Sequence, residues 1–230
     1  MTRPGHVRKV SITGRHDVVP RGLETFLSLH RLSVVNTFVD GTAGSEFTWD
    51  AVLRDQIDAV VLLLVGELDG RECVCLRSCV RPPLLLRAEL ALAVPDERRH
   101  DFLWELPAGL LEVDDNGNEG IRRRASAETL EETGYSIEPA EFAILPGSPF
   151  VSPGVIPERV HFVIARVTEP SAGVEPQGDG SPAEERASLW WLPIEEGLAM
   201  CERGEIDDMK TELGLRRLAA DGTWRQEDAR

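Results

Sequence analysis

The apolar run AVVLLLVG at 59–66 constrains the fold more than any other stretch of the sequence. It has the length of a buried strand and falls well short of the roughly 18 residues that a membrane-spanning helix requires. A second apolar run, ECVCLRSCV at 72–80, follows an Asp-Gly pair at 69–70 that is typical of a tight turn. We therefore expect two buried strands here, paired as a hairpin or as neighbours in one sheet.

Composition limits the class of protein. The chain has 230 residues, of which 42% are hydrophobic, and this is enough for one substantial core. A formal net charge of −15 argues against nucleic acid as a partner, whereas a small anionic substrate would need arginines or a divalent cation to neutralise it. The four cysteines lack the spacing of a zinc site and are expected to be small buried hydrophobes.

The chain also lacks the signals of a membrane or secreted protein. No apolar run is long enough to span a bilayer, and the first residues, MTRPGHVRKVSITGRHD, contain no apolar segment of a secretory signal. We therefore expect a cytoplasmic protein without a membrane partner.

Hydrophobic periodicity outlines the organisation of the chain. Alternation at 7–12 and 31–41 predicts strands in an N-terminal β-rich arm, for which we take residues 1–55. Residues 56–230 are then one domain, with further strands predicted at 158–169 and in SLWWLPI, and two closing helices at 194–204 and 207–222. EPSAGVEPQGDGSPAEER is predicted to be a long polar loop before the last strand.

A helix is predicted over 119–133. Asn118 is a plausible N-cap, and Gly134 fits the position after the helix, where a left-handed residue is favoured. At about 100° per residue, Ile121 and Ala125 share an arc with two of the helix's carboxylates.

Those carboxylates, Glu128 and Glu132, thus lie on the apolar stripe, and Glu131 flanks it. Burying carboxylates is costly unless a cation compensates, and oxygen ligands favour a hard ion, Mg²⁺ or Mn²⁺. The alternative is that these residues merely end an ordinary acidic helix.

The surrounding sequence, from ELPAGLLE to LEETGY, resembles the Nudix hydrolases. Their signature is a glycine, five residues, a glutamate, seven residues, and then Arg-Glu-U-x-Glu-Glu-x-Gly-U with U apolar. The positions that match are Gly109, Glu119, Glu128, Glu131, Glu132, Gly134 and Tyr135.

The resemblance has departures. Nine residues instead of five separate Gly109 from the glutamate, so that four are inserted within VDDNGN. Ala127 replaces the arginine of the motif, and Thr129 replaces an aliphatic residue. That arginine normally braces a carboxylate, and Arg123 or Arg124 is a possible partial substitute.

The flanking segments are similar to one branch of the family. LPAG, LRSCVRPP and SPGVIPER resemble the ADP-ribose and nucleoside-diphosphate-sugar pyrophosphatases. The resemblance implies an α+β fold with a mixed β-sheet packed between helices. It also implies a homodimer built through the N-terminal arm.

The same resemblance implies a metal site and catalytic groups. Glu128 and Glu132 would be metal ligands, Glu131 would bind the metal or act close to it, and the backbone carbonyl of Ala108 would complete the site. The general base would come from the late acidic loop, where Glu184 and Glu185 are the candidates.

Substrate contacts are less defined. Arg81 is predicted to pair with a phosphate, or else to be a solvated strand end. Glu105 is predicted to hydrogen-bond the substrate, or else to cap its loop. Trp104 and Phe150 are candidates for stacking on a base, although an aromatic residue beside a strand is more often part of the core.

The resemblance therefore implies hydrolysis of the pyrophosphate bond of ADP-ribose or a related nucleoside-diphosphate sugar, with Mg²⁺ or Mn²⁺ as cofactor. The products would be a nucleoside monophosphate and a sugar phosphate. Two alternatives remain: a Nudix hydrolase of a nucleoside triphosphate or coenzyme, and an inactive Nudix-fold nucleotide sensor.

Overall fold

The computed structural model describes residues 7–19, 26–172, 176 and 187–221. The chain divides into two compact units, one made of 1–57 and 150–159 and the other of 58–149 and 160–230. The helices and strands are β1 (Val7–Val19), β2 (Ser28–Phe38), β3 (Phe47–Leu53), β4 (Ala59–Leu68), β5 (Arg71–Cys79), β6 (Leu103–Glu105), β7 (Ala108–Leu110), α1 (Gly117–Thr133), β8 (Ala143–Ile144), β9 (Phe150–Ser152), β10 (Ile156–Arg166), β11 (Leu189–Pro193), α2 (Ile194–Glu202) and α3 (Met209–Asp221).

The first unit is built on an antiparallel sheet in the order β1, β2, β3. Strand β3 was not predicted from the sequence, and its first four residues are exposed. The segment 150–159 joins this unit through long-range bonds: the indole nitrogen of Trp49 donates to the carbonyl of Gly154 at 2.9 Å, and Arg54 pairs with Glu158 at 2.9 Å.

The second unit contains a mixed sheet in the order β11, β5, β4, β10, β8, with β6 paired to β5 and β7 paired to β4. The β4 and β5 strands form the expected hairpin, and their turn places Asp69 and Gly70 at φ 52° and 74°, as a tight hairpin turn requires. β4 runs parallel to β10 in the centre of the sheet, and residues 59–66 of β4 are all buried.

Helices cover both faces of this sheet. Ile121 and Ala125 of α1 pack in one core cluster with Val60 and Leu62 of β4. On the other face, α3 lies so close that a side chain on Gly214 would come within 2.4 Å of Leu106. The β4 run is buried throughout because it lies between these two layers.

The cysteines are free thiols. Cys73, Cys75 and Cys79 are buried along β5, as expected for small hydrophobes, and Cys201 on α2 is partly buried. Burial raises the pKa of Cys75 to about 12 and that of Cys79 to about 11. In the part of the chain that the structure describes, no helix is both long and apolar enough to cross a membrane.

Candidate functional site

The helix that carries the glutamates begins two residues before the predicted start. α1 runs from Gly117, with Asn116 instead of Asn118 at its N-cap, because Gly117 adopts a left-handed φ of 63° that turns the chain into the helix. At the other end Gly134 adopts a φ of 74°, and its N–H bonds to Leu130 O at 3.0 Å. The predicted C-terminal glycine is therefore confirmed.

Thr129, at the aliphatic position of the motif, is compatible with a buried helix face. Its hydroxyl donates to the carbonyl of Ala125 at 2.6 Å, one turn earlier, and the side chain is fully buried. Because its polar atom is satisfied within the helix, the residue packs as a small apolar group would.

Glu132 is a buried carboxylate held from two strands. It is 7% exposed. Nη1 of Arg77, in β5, donates to Oε1 of Glu132 at 3.0 Å. The backbone N–H of Ala108, in β7, donates to Oε2 of Glu132 at 2.9 Å. Two hydrogen bonds from two strands therefore orient the carboxylate.

Ala108 also has a carbonyl suited to a metal site. Its neighbours bond to β4, since Leu62 N–H donates to Pro107 O and Leu111 N–H donates to Asp58 O, both at 2.9 Å. In an antiparallel ladder the residues between such bonded pairs turn their N–H and C=O to the opposite side. The carbonyl of Ala108 therefore points away from β4, as its N–H does.

Glu128 lies against the backbone of Gly109. A Cβ atom at position 109 would fall 2.0 Å from Oε1 of Glu128, so glycine provides the space that this carboxylate occupies. The side chain of Glu128 is mostly buried, and Arg124 Nη1 approaches its Oε1 at 3.8 Å. The opening glycine of the signature is thus explained by close approach.

Glu131 differs from the other two glutamates, because its position on α1 is exposed to solvent. Within the described residues no three His, Cys, Asp or Glu side chains are grouped closely enough to hold a metal. Glu128 lies against Gly109 and Glu132 against Ala108, so that two carboxylates of α1 face neighbouring residues of β7. Oxygen donors of this kind fit a hard divalent cation.

The inserted residues form an ordered turn before α1. Asp115 accepts from the N–H of Glu112 at 3.0 Å and from Arg124 Nε at 2.9 Å. Burial is the largest single influence and would raise the pKa of Asp115, but the hydrogen bonds from Arg124 and from the N–H of Glu112, together with the nearby arginine charges, outweigh it, and the pKa lies below its ordinary value. Arg124 is therefore committed mainly to the insertion.

Arg77 is the site residue that sequence reasoning missed. It is 3% exposed, and along β5 it shares the inward alternation of Cys73, Cys75 and Cys79. A charged residue at an inward position of a buried strand needs a charged partner, and this signal was present in the sequence. The identity of the partner, 55 positions away, was not.

Arg81 and Glu105 are brought together by the structure. Arg81 donates to both oxygens of Glu105, Nε at 2.9 Å and Nη2 at 2.8 Å, and Lys210 of α3 also bonds Glu105. Burial would raise the pKa of Glu105, but the bond from Arg81 and the charge of Lys210 hold it below its ordinary value. Glu105 stands directly opposite Arg77 in the pairing of β5 with β6.

The remaining candidates lie elsewhere. Trp104 makes edge-to-face contacts with Phe102 and Trp190, at 5.7 and 5.1 Å between ring centroids. Phe150 belongs to the first unit, where the guanidinium of Arg159 lies over its ring at 4.2 Å. Glu184 and Glu185 lie outside the described residues.

Comparison with known proteins supports the family resemblance. No family model matches the chain. It is 34% identical over 121 residues to the GDP-mannose pyrophosphatase of Cronobacter sakazakii, covering 53% of this chain and 58% of that protein. It is also 34% identical over 110 residues to the GDP-mannose pyrophosphatase of Pectobacterium atrosepticum, covering 48% and 51%. The chain thus spans about half the length of the curated relatives it matches.

A solved structure matches over the whole chain. The crystal structure of an ADP compounds hydrolase superposes with a TM-score of 0.64 at 13% identity, covering 97% of this chain and 99% of that one. The predicted fold class, α+β with a mixed sheet between helices, is confirmed. The predicted resemblance to the nucleoside-diphosphate-sugar pyrophosphatases is confirmed by the sequence relatives.

Proposed function

We propose that this chain, as a relative of the Nudix pyrophosphatases, is a metal-dependent hydrolase of nucleoside-diphosphate sugars. The main support for this proposal is the buried carboxylate of Glu132. Arg77 and the N–H of Ala108 hold it in place, one helical turn from Glu128. A surface helix would turn such residues toward water. Two carboxylates gathered on the inner side of α1 are suited to holding a cation for an anionic substrate.

The site residues divide the work. Glu128, Glu132 and the carbonyl of Ala108 would hold Mg²⁺ or Mn²⁺, whose positive charge would offset that of the diphosphate oxygens. The guanidinium of Arg81 is half exposed while bound to Glu105, so it can face a phosphate. Among the residues that the structure describes, Glu131, exposed on α1, is the candidate general base. Its carboxylate would accept a proton from the attacking water.

The reaction is hydrolysis of one P–O bond of the pyrophosphate bridge. One P–O bond to the water oxygen forms, and one P–O bond of the bridge breaks. The products are a nucleoside monophosphate and a sugar phosphate. GDP-mannose and ADP-ribose are the first substrates to test, since the relatives are GDP-mannose pyrophosphatases and the structural neighbour is an ADP compounds hydrolase.

A substrate panel tests the proposal. The purified chain is incubated with GDP-mannose, ADP-ribose, UDP-glucose, a nucleoside triphosphate and a coenzyme, each with Mg²⁺, with Mn²⁺ or with EDTA. Anion-exchange chromatography then separates the products from the unreacted substrate in every reaction of the panel. We expect turnover of a diphosphate sugar that EDTA abolishes; turnover confined to the triphosphate or the coenzyme would instead identify a different Nudix hydrolase.

Glu132→Gln provides the internal test. It keeps the shape of the side chain and removes the charge, so we expect kcat to fall by at least about 100-fold with the fold retained. Glu195→Gln, the same change on an exposed residue of α2, is the matched control and should keep wild-type activity. If wild type binds nucleotide sugars without hydrolysing any of them, the nucleotide sensor is the correct function.

We also propose that the protein acts in the cytoplasm as a homodimer formed through the N-terminal arm. Support comes from the arm's own sheet. Val10 and Ile12 of β1 and Trp49 of β3 are large apolar side chains that are at least half exposed. Ile12, Val34 and Phe47 stand opposite one another across the three strands and therefore share one face.

A further inference from the structure

The signature arginine is absent from α1. Ala127 stands in its place, and the two arginines one turn earlier do not compensate at Glu132. Arg124 donates to Asp115 at 2.9 Å and lies 3.8 Å from Glu128, and Arg123 is exposed. The positively charged side chain that pairs with Glu132 therefore comes from outside the helix.

The partner of Glu132 is Arg77. It lies in β5, where β4, β6 and β11 pair with the strand, so its backbone is fixed on both sides. Its Nη1 reaches Oε1 of Glu132 at 3.0 Å, and both side chains are more than 90% buried. The thiol of Cys79, 3.9 Å from the same nitrogen, is uncharged at neutral pH because burial raises its pKa to about 11.

We propose that Arg77 is the positioning residue for Glu132 and takes over from the neighbouring strand the task that the motif assigns to an arginine on the helix. This inference rests on the proposed function. Arg77 acts through Glu132 and need not touch the substrate.

The geometry explains why the position of the arginine matters. A glutamate on a helix has three side-chain torsions, and each hydrogen bond to a rigid element removes part of that freedom. Arg77 fixes Oε1 from β5, while Ala108 fixes Oε2 from β7. Loss of the bond from Arg77 removes the anchor at Oε1, and a metal ligand with more rotational freedom binds its ion more weakly.

Two variants separate geometry from charge. Arg77→Lys keeps the buried positive charge but loses the planar guanidinium, and Arg77→Gln removes the charge. Arg166→Lys is the matched control, because Arg166 pairs at 3.1 Å with Glu72 at the opposite end of β5. Folding of each variant is checked by circular dichroism at the assay temperature.

The readouts are kcat, KM and the Kd for Mn²⁺, the last measured by electron paramagnetic resonance without substrate. We expect both Arg77 variants to lower kcat by about 10- to 100-fold and to raise the Mn²⁺ Kd by about tenfold, with little change in KM. Arg166→Lys should match wild type. Wild-type kcat and Mn²⁺ affinity in a folded Arg77→Lys protein would overturn the inference.

A double variant tests whether Arg77 acts through Glu132. In a Glu132→Gln background, Arg77→Lys should change the Mn²⁺ Kd by less than about twofold, because the side chain it orients no longer carries charge. A shift as large as in wild type would show that Arg77 acts in another way. Since Mn²⁺ binding needs no substrate, an inactive wild type would refute the proposed function and leave this test of Arg77 intact.

Discussion

At the scale of single residues, the two most buried carboxylates of the site are each tied to a cation from a different part of the chain. Glu132 pairs with Arg77, and Glu105 pairs with Arg81 and Lys210. Buried ion pairs contribute little net stability, but breaking one is costly because a charge is left without its partner. These pairs therefore fix geometry more than they stabilise the fold.

The Glu105 cluster predicts how stability depends on pH. The pKa of Glu105 in the folded chain lies below its ordinary value of 4.5. Its contribution is therefore fully present above pH 4.5 and is lost as the pH falls through the lowered pKa. Glu105→Gln should destabilise the protein by about 3 kcal/mol at pH 7, and this difference should shrink in acid.

Urea unfolding between pH 3 and pH 7 measures the effect. Glu195→Gln, at an exposed site, should follow the wild-type curve. A constant difference between Glu105→Gln and wild type across this range would show that Glu105 does not titrate with a lowered pKa.

At the scale of elements, the sequence predicted most of what depends on local pattern. The β4 and β5 hairpin, the end of α1 at Gly134, and the inward side of Glu128 and Glu132 all follow from periodicity and turn chemistry. Features that depend on distant pairing were missed. They are the inclusion of 150–159 in the first unit and the pairing of Arg77 with Glu132.

The packing of α1 on β7 gives a prediction at Gly109. The φ of Gly109 is not in the left-handed region, so alanine can adopt the same backbone conformation. The added Cβ, however, would overlap the side chain of Glu128. Gly109→Ala should lower kcat by about 10- to 100-fold. It should change the free energy of unfolding by less than about 1 kcal/mol, since the end of a flexible side chain moves instead.

Steady-state kinetics and denaturant unfolding check this prediction together. Gly154→Ala is the control, because a Cβ there meets nothing within 4 Å. A fully active Gly109→Ala protein would mean that the position of Glu128 against β7 has no role in turnover.

At the scale of the whole molecule, the proposed dimer can be tested through the exposed face of the arm. Ile12 is 63% exposed. Ile12→Glu should therefore leave the arm folded while placing a charge in an apolar interface. Light scattering after size exclusion should give about twice 25.4 kDa for wild type and 25.4 kDa for the variant.

Val39→Glu is the matched control, since Val39 is similarly exposed but lies beyond the end of β2. A wild-type mass of one chain would refute the dimer. A variant that keeps the mass of two chains would show that the dimer forms through another surface and would refute the proposed role of this face.

The buried thiols along β5 allow local unfolding of the sheet to be measured through their rate of alkylation. Only the deprotonated thiol reacts with maleimides or iodoacetamide, and a sealed thiol of high pKa reacts after the sheet has parted. Cys201, being partly exposed, should label first, and Cys75 last. The time course of alkylation in native buffer would thus measure how often β5 separates from the strands and helices that cover it.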